Sequence, residues 1–101
     1  MAGITTHVLD TAKGKPAAGV RITLRRDNEE LFDGETDADG RARLLDHAAP
    51  GIYHLLFNTG AYNPDGFFPS ATIVFRIENP DQHYHVPLLL SPFGYATYRG
   101  S

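Results

Sequence analysis

Val20-Arg21-Ile22-Thr23-Leu24-Arg25 alternates apolar and polar residues without a break, and Thr72 to Glu78 repeats the habit through Ile73, Phe75 and Ile77. A period of two puts successive side chains on opposite faces, so both stretches predict strands with one buried and one solvated face. Working outward, further short runs rich in β-branched and aromatic residues predict strands at 4–9, 20–26, 30–36, 41–45, 52–58, 71–78, 83–90 and 93–99. Turn formers separate them: 10–16, Asp27-Asn28, 37–40, Ala49-Pro50-Gly51, Asn63-Pro64-Asp65-Gly66, Asn79-Pro80-Asp81 and Ser91-Pro92. No apolar pattern of period 3.6 lasts long enough for a helix. The chain is therefore read as all-β, about eight strands in a two-sheet sandwich or a barrel.

Parity also assigns faces. Ile4, Thr6 and Val8 oppose Thr5, His7 and Leu9, and Tyr84, Val86 and Leu88 oppose His83, His85, Pro87 and Leu89. In the last strand Phe93, Tyr95 and Thr97 oppose Gly94, Ala96 and Tyr98. If these three strands share a sheet, Leu9, Pro87, Leu89 and Ala96 make an outer apolar patch beside His7, His85 and Tyr98. Patches of that kind mark a partner interface or a ligand site.

Composition bounds the function. The 101 residues fit a single domain, 1–101, with ordinary globular usage: 42% hydrophobic and 21% charged. No linker, repeat or low-complexity tract suggests a second unit. Nine Lys and Arg against twelve Asp and Glu give a net charge of −3, which argues against nucleic acid as a partner. The longest apolar run, Val86 to Leu90, is five residues and holds Pro87, far short of the ~20 that span a bilayer. The absence of cysteine suits a reducing compartment, and residues 1–7 lack a secretory pattern, so a cytoplasmic protein is expected.

Three groups of residues could carry chemistry. His7, His83 and His85 share an outer face, which permits a zinc-bound water or a metal-free acid/base pair of imidazoles. Asp37-Ala38-Asp39-Gly40 reads as a turn, and the later glutamate of a calcium loop is missing, Asp46 and His47 standing there. Arg41 leaves that turn as a fixed cation whose planar fork suits carboxylate, urate-like or oxyanion groups. Gly14-Lys15-Pro16 lacks the glycines of a phosphate loop, and no Gly-x-Ser-x-Gly supports a serine hydrolase.

Taken in order, Thr6-His7-Val8-Leu9-Asp10, Gly14-Lys15-Pro16-Ala17, Asp39-Gly40-Arg41, the run from His83-Tyr84-His85 to Ser91-Pro92, and terminal Tyr98-Arg99-Gly100-Ser101 strongly resemble the 5-hydroxyisourate hydrolases, the transthyretin-related proteins of urate breakdown. The resemblance covers nearly the whole chain. It implies a transthyretin-like two-sheet sandwich assembled as a homotetramer, a dimer of dimers. The activity implied is cofactor-free and metal-independent hydrolysis of 5-hydroxyisourate to 2-oxo-4-hydroxy-4-carboxy-5-ureidoimidazoline. His7 and His85 match residues that activate water, and Arg41 one that holds substrate and oxyanion. Tyr98 would pack on the substrate, and Ser101, closing the tetrapeptide, would order the histidines. His83 has no counterpart among the family's active-site residues. The segment 59–70 is shorter than in most relatives, which makes the short helix found there in the family doubtful in this chain. Two rivals stand beside this reading: a zinc hydrolase built on His7, His83 and His85, and a non-catalytic carrier of a small ligand.

Overall fold

Nine strands and one helical turn make up the computed structural model, which describes residues 3–100: β1 (Ile4–Asp10), β2 (Lys15–Pro16), β3 (Arg21–Arg26), β4 (Glu29–Glu35), β5 (Arg41–Leu45), β6 (Gly51–Asn58), α1 (Thr59–Tyr62), β7 (Ala71–Ile77), β8 (Tyr84–Ser91) and β9 (Gly94–Thr97). Eight of these strands fall where alternation predicts them. The ninth, β2, lies in the stretch read as a turn. Two residues are too few to show a period, and they pair only because Gly14, at φ 67°, returns the chain antiparallel to Leu9 and Asp10.

The strands form two sheets. One runs β2-β1-β8-β9, with β5 also paired to β1; the other runs β4-β3-β6-β7. β1 is antiparallel to β5 and parallel to β8, so the N-terminal strand is fixed by residues about eighty positions away. Between the sheets lies the core, where Ile4, Val8, Ile22, Leu24, Tyr53, Leu55, Phe57, Ile77 and Leu88 are all essentially inaccessible. In β1, β3, β7 and β8 these belong to the inward sets that parity picks out, and β6 alternates in the same way. Burial at ~25 cal/mol per Å² of apolar surface makes this the main stabilising term.

The doubtful helix is present. Thr59–Tyr62 forms one turn, its start capped by the Asn58 side chain accepting from the Ala61 amide at 3.2 Å. Tertiary contacts hold what is too short to be stable alone. The Thr59 hydroxyl donates to the Phe68 carbonyl, the Gly60 amide donates to the Pro69 carbonyl at 2.7 Å, and the Tyr62 hydroxyl donates to Asp10 Oδ2 at 2.7 Å.

Candidate active site

The outer face of the first sheet is laid out by register. Thr5 stands opposite Arg43 on one side and His85 on the other, while His7 stands between Arg41 and Pro87. Paired residues share a face, so two rungs cross β5, β1 and β8: Arg43-Thr5-His85 and Arg41-His7-Pro87. Above the first rung opens a cavity of about 430 Å³ lined by Thr5, Asp37, Arg41, Arg43, His83 and His85 among others.

Arg41 is delivered by its turn. The Asp37 carboxylate accepts from the amides of Asp39 and Arg41 at 2.9 and 3.0 Å, and Gly40 closes the turn at φ 74°. A side chain at Gly40 would fall onto the Val8 carbonyl, so the turn demands glycine for space as well as for φ. The Arg41 amide, then Asp39, Arg41 and His7, hold the Asp37 carboxyl below the usual carboxylate range, with burial opposing them. Asp37 is thus anionic at the mouth of the cavity.

The histidines differ in their surroundings. His7 Nε2 lies 2.9 Å from the Asp39 carbonyl, which can only accept, so that nitrogen carries a proton and the ring's basic lone pair is on Nδ1. His85 is half-buried, with Nδ1 2.8 Å from Thr5 Oγ1. Burial, and then the positive fields of His7, Arg41 and His83, push its pKa below the ordinary histidine value. An imidazole that stays neutral beside a guanidinium is suited to accept a proton from water. His83 is exposed, with Nε2 2.9 Å from the same Thr5 oxygen.

The C-terminal tail seats His85. The Gly100 amide donates to the His85 carbonyl at 2.8 Å, and a side chain at Gly100 would lie 2.6 Å from His85 Cδ2. Only a bare Cα fits against that ring. Arg99 points the other way: its guanidinium lies 4.4 Å from the centre of the Tyr84 ring and donates to Gln82 at 3.0 Å.

Not every expected residue meets in the cavity. Arg41 and His85 line it, and His7 stands one rung away. Tyr98, expected beside them, is exposed and borders a separate groove with Ile73, Val74, Phe75 and Thr97. The β9 strand ends at Thr97, but the pair His85–Gly100 keeps the same register, so Tyr98 falls opposite Pro87, where proline lacks the amide a ladder bond needs. Ser101 lies outside the described residues. The zinc alternative gains no support from the donors, since no group of three side chains able to hold a metal occurs among the described residues.

One residue stays hidden in the sequence, Thr5; Gly100 stands there only as a member of the terminal tetrapeptide. Thr5 carries no charge and belongs to no motif of its own. It becomes visible only through the parallel register that sets it opposite His85.

Comparison with known proteins adds an independent line. Residues 4–100 match the model of the HIUase/Transthyretin family. Over its whole length the chain is 49% identical to a 5-hydroxyisourate hydrolase of Caulobacter vibrioides, which it covers fully. The structure of Klebsiella pneumoniae 5-hydroxyisourate hydrolase superposes with a TM-score of 0.92 at 38% identity, both chains fully covered. Sea bream transthyretin, solved with thyroxine, gives a TM-score of 0.89 at 31% identity over 96% of this chain and 93% of that one.

Proposed function

The chain belongs to the HIUase/Transthyretin family, and from that premise we infer that it is a hydrolase opening the ring of 5-hydroxyisourate in urate degradation. The reading is carried by one observation: full-length similarity to hydrolases of that substrate falls on a chain whose cavity joins Arg41 to a His85 kept neutral. A carrier needs no such pairing. The transthyretin match, at lower identity, does not favour the carrier reading.

In this mechanism His85 takes a proton from water as the oxygen adds to the lactam carbonyl carbon. Arg41 holds the electron-rich substrate and neutralises the oxyanion that forms; donors in that role are worth ~10² to 10³ in turnover. Collapse then breaks the carbon–nitrogen bond, and the leaving nitrogen takes the proton back. His7, its Nδ1 free to accept, is the second acid/base group. Tyr98 is assigned to stack on the substrate, and Ser101, next to the glycine that seats His85, to steady the histidines.

We assign the outer face, with Leu9, Leu89 and Ala96, to packing against further copies in a homotetramer. Light scattering on the purified chain should then return the mass of four subunits. No helix among the described residues is long and apolar enough to cross a membrane. The cysteine-free composition supports a cytoplasmic location.

The deciding assay mixes the purified chain with freshly generated 5-hydroxyisourate and follows its absorbance against spontaneous decay. Acceleration that survives EDTA is expected. An unchanged decay would sink the hydrolase reading in favour of the carrier, and loss of rate on chelation would revive zinc.

A further inference from the structure

One hydroxyl touches two histidines. Thr5 Oγ1 lies 2.8 Å from His85 Nδ1 and 2.9 Å from His83 Nε2, joining a half-buried ring to an exposed one. A threonine hydroxyl has one proton to donate and lone pairs to accept with. With both rings neutral, it can therefore donate to one ring while accepting from the other, which ties the two tautomers together.

We propose that Thr5 and His83 form a proton relay behind His85, with Thr5 the positioning residue and His83 the terminal proton store. This rests on the hydrolase reading given above. In the resting arrangement His85 carries its proton on Nδ1 and donates to Thr5, and Thr5 donates to His83 Nε2. That leaves His85 Nε2 bare for water. When water attacks, its proton passes to His85 Nε2, the Nδ1 proton moves to Thr5 Oγ1, and the Thr5 proton moves to His83 Nε2. The water oxygen bonds to the carbonyl carbon while the π pair goes to the carbonyl oxygen. On collapse the relay runs backwards: His85 Nε2 returns a proton to the leaving nitrogen as the carbon–nitrogen bond breaks. No proton is gained or lost.

Charge placement gives the relay its purpose. A cation on His85 would face His7 on β1 and Arg41 and Arg43 on β5, with Asp37 the anion among the groups lining the cavity. Burial first, and then His7, Arg41 and His83, already disfavour that cation. Passing the charge to His83 moves it to an exposed ring, where water solvates it; the Arg99 guanidinium, 3.5 Å from the His83 carbonyl, borders the same surface pocket. The two rings are held in place by glycines. A side chain at Gly3 would lie 2.9 Å from His83 Nδ1, as one at Gly100 would from His85 Cδ2 at 2.6 Å.

The test compares wild type with Thr5→Val, Thr5→Ser and His83→Gln. Thr5→Val keeps the shape and deletes the hydroxyl. It should lower kcat roughly 10- to 100-fold with KM changed less than about threefold, while Thr5→Ser stays within about threefold of wild type. His83→Gln, at an exposed position that folding tolerates, should lower kcat in the same way. A second readout needs no substrate. In ¹⁵N histidine spectra, titrating His83 should move the His85 Nδ1 resonance in wild type and Thr5→Ser, and not in Thr5→Val. Wild-type kcat in both Thr5→Val and His83→Gln, or a His85 Nδ1 resonance that ignores His83 in the wild type, would overturn the relay. Should the wild-type chain fail to accelerate 5-hydroxyisourate decay, the hydrolase reading falls by itself, and the relay is decided by the spectra.

Discussion

A single glycine shows how much this site asks of small details. Gly100→Ala puts a methyl group 2.6 Å from His85 Cδ2, so the ring or the tail must shift. Since misplacing a catalytic group by about 1 Å can cost ~10²-fold, a loss of kcat of at least tenfold is expected with little change in thermal midpoint. His85 itself sets the pH dependence. Its pKa is lowered, so it remains a base below the ordinary histidine value, and the acid limb of kcat/KM should fall below pH ~6.5. Arg41→Met removes one of the charges that depress it. The limb should move to higher pH while kcat drops about 10² to 10³-fold; a limb that stays put would refute the electrostatic coupling. Arg41, His7 and His85 were legible in the sequence because each carries a charge or titrates within a recognisable motif. Thr5 was not, since a neutral hydroxyl acquires meaning only from what lies across the sheet.

Elements explain where strand logic holds and where it stops. Alternation reads β1, β3, β7 and most of β8 correctly, because each has one face on the core and one outside it. It fails at β2, which is too short to show a period. The helical turn is a tertiary product. Tyr62 donates to the buried Asp10, and burial with that carboxylate pushes the tyrosine up to about 12. Burial pulls the Asp10 pKa up, but Tyr62 and the Lys13 and Ala12 amides outweigh it and leave it lowered. A lowered carboxyl contributes stability above its unfolded value near pH 4, lost as pH falls through the folded value. Tyr62→Phe should accordingly cost about 1.5–3 kcal/mol in denaturant unfolding near neutrality. That deficit should shrink in acid, and a deficit constant with pH would mean the bond is not the cause.

For the whole molecule, the same His85 that serves catalysis weakens the fold in mild acid. The unfolded ring takes a proton near pH 6.5, whereas the folded ring resists until lower pH, so unfolding gains a proton across that window. Stability should therefore fall as pH drops below about 6.5, and His85→Gln should flatten this part of the curve in urea titrations at stepped pH. The core sets the larger scale. Leu88 is fully buried between the sheets, and Leu88→Ala should cost about 2–5 kcal/mol by leaving a cavity. A measured loss below about 1 kcal/mol would mean that the sandwich collapses around the gap.

The sequence by itself determined the all-β class, the positions of eight strands, most of the inward faces and four residues now placed at or beside the cavity, His7, Arg41, His83 and His85. These follow from local physics: side chains alternate along a strand, turns need particular φ values, and charged groups declare themselves. Tertiary structure alone decided which strands are neighbours, and with that the parallel pairing of β1 with β8 that brings Thr5 to His85 and His83. It also decided that Tyr98 borders a groove apart from the cavity and that 59–70 keeps a helical turn. No local pattern encodes a contact across eighty residues; it exists only once the core has closed and fixed the register.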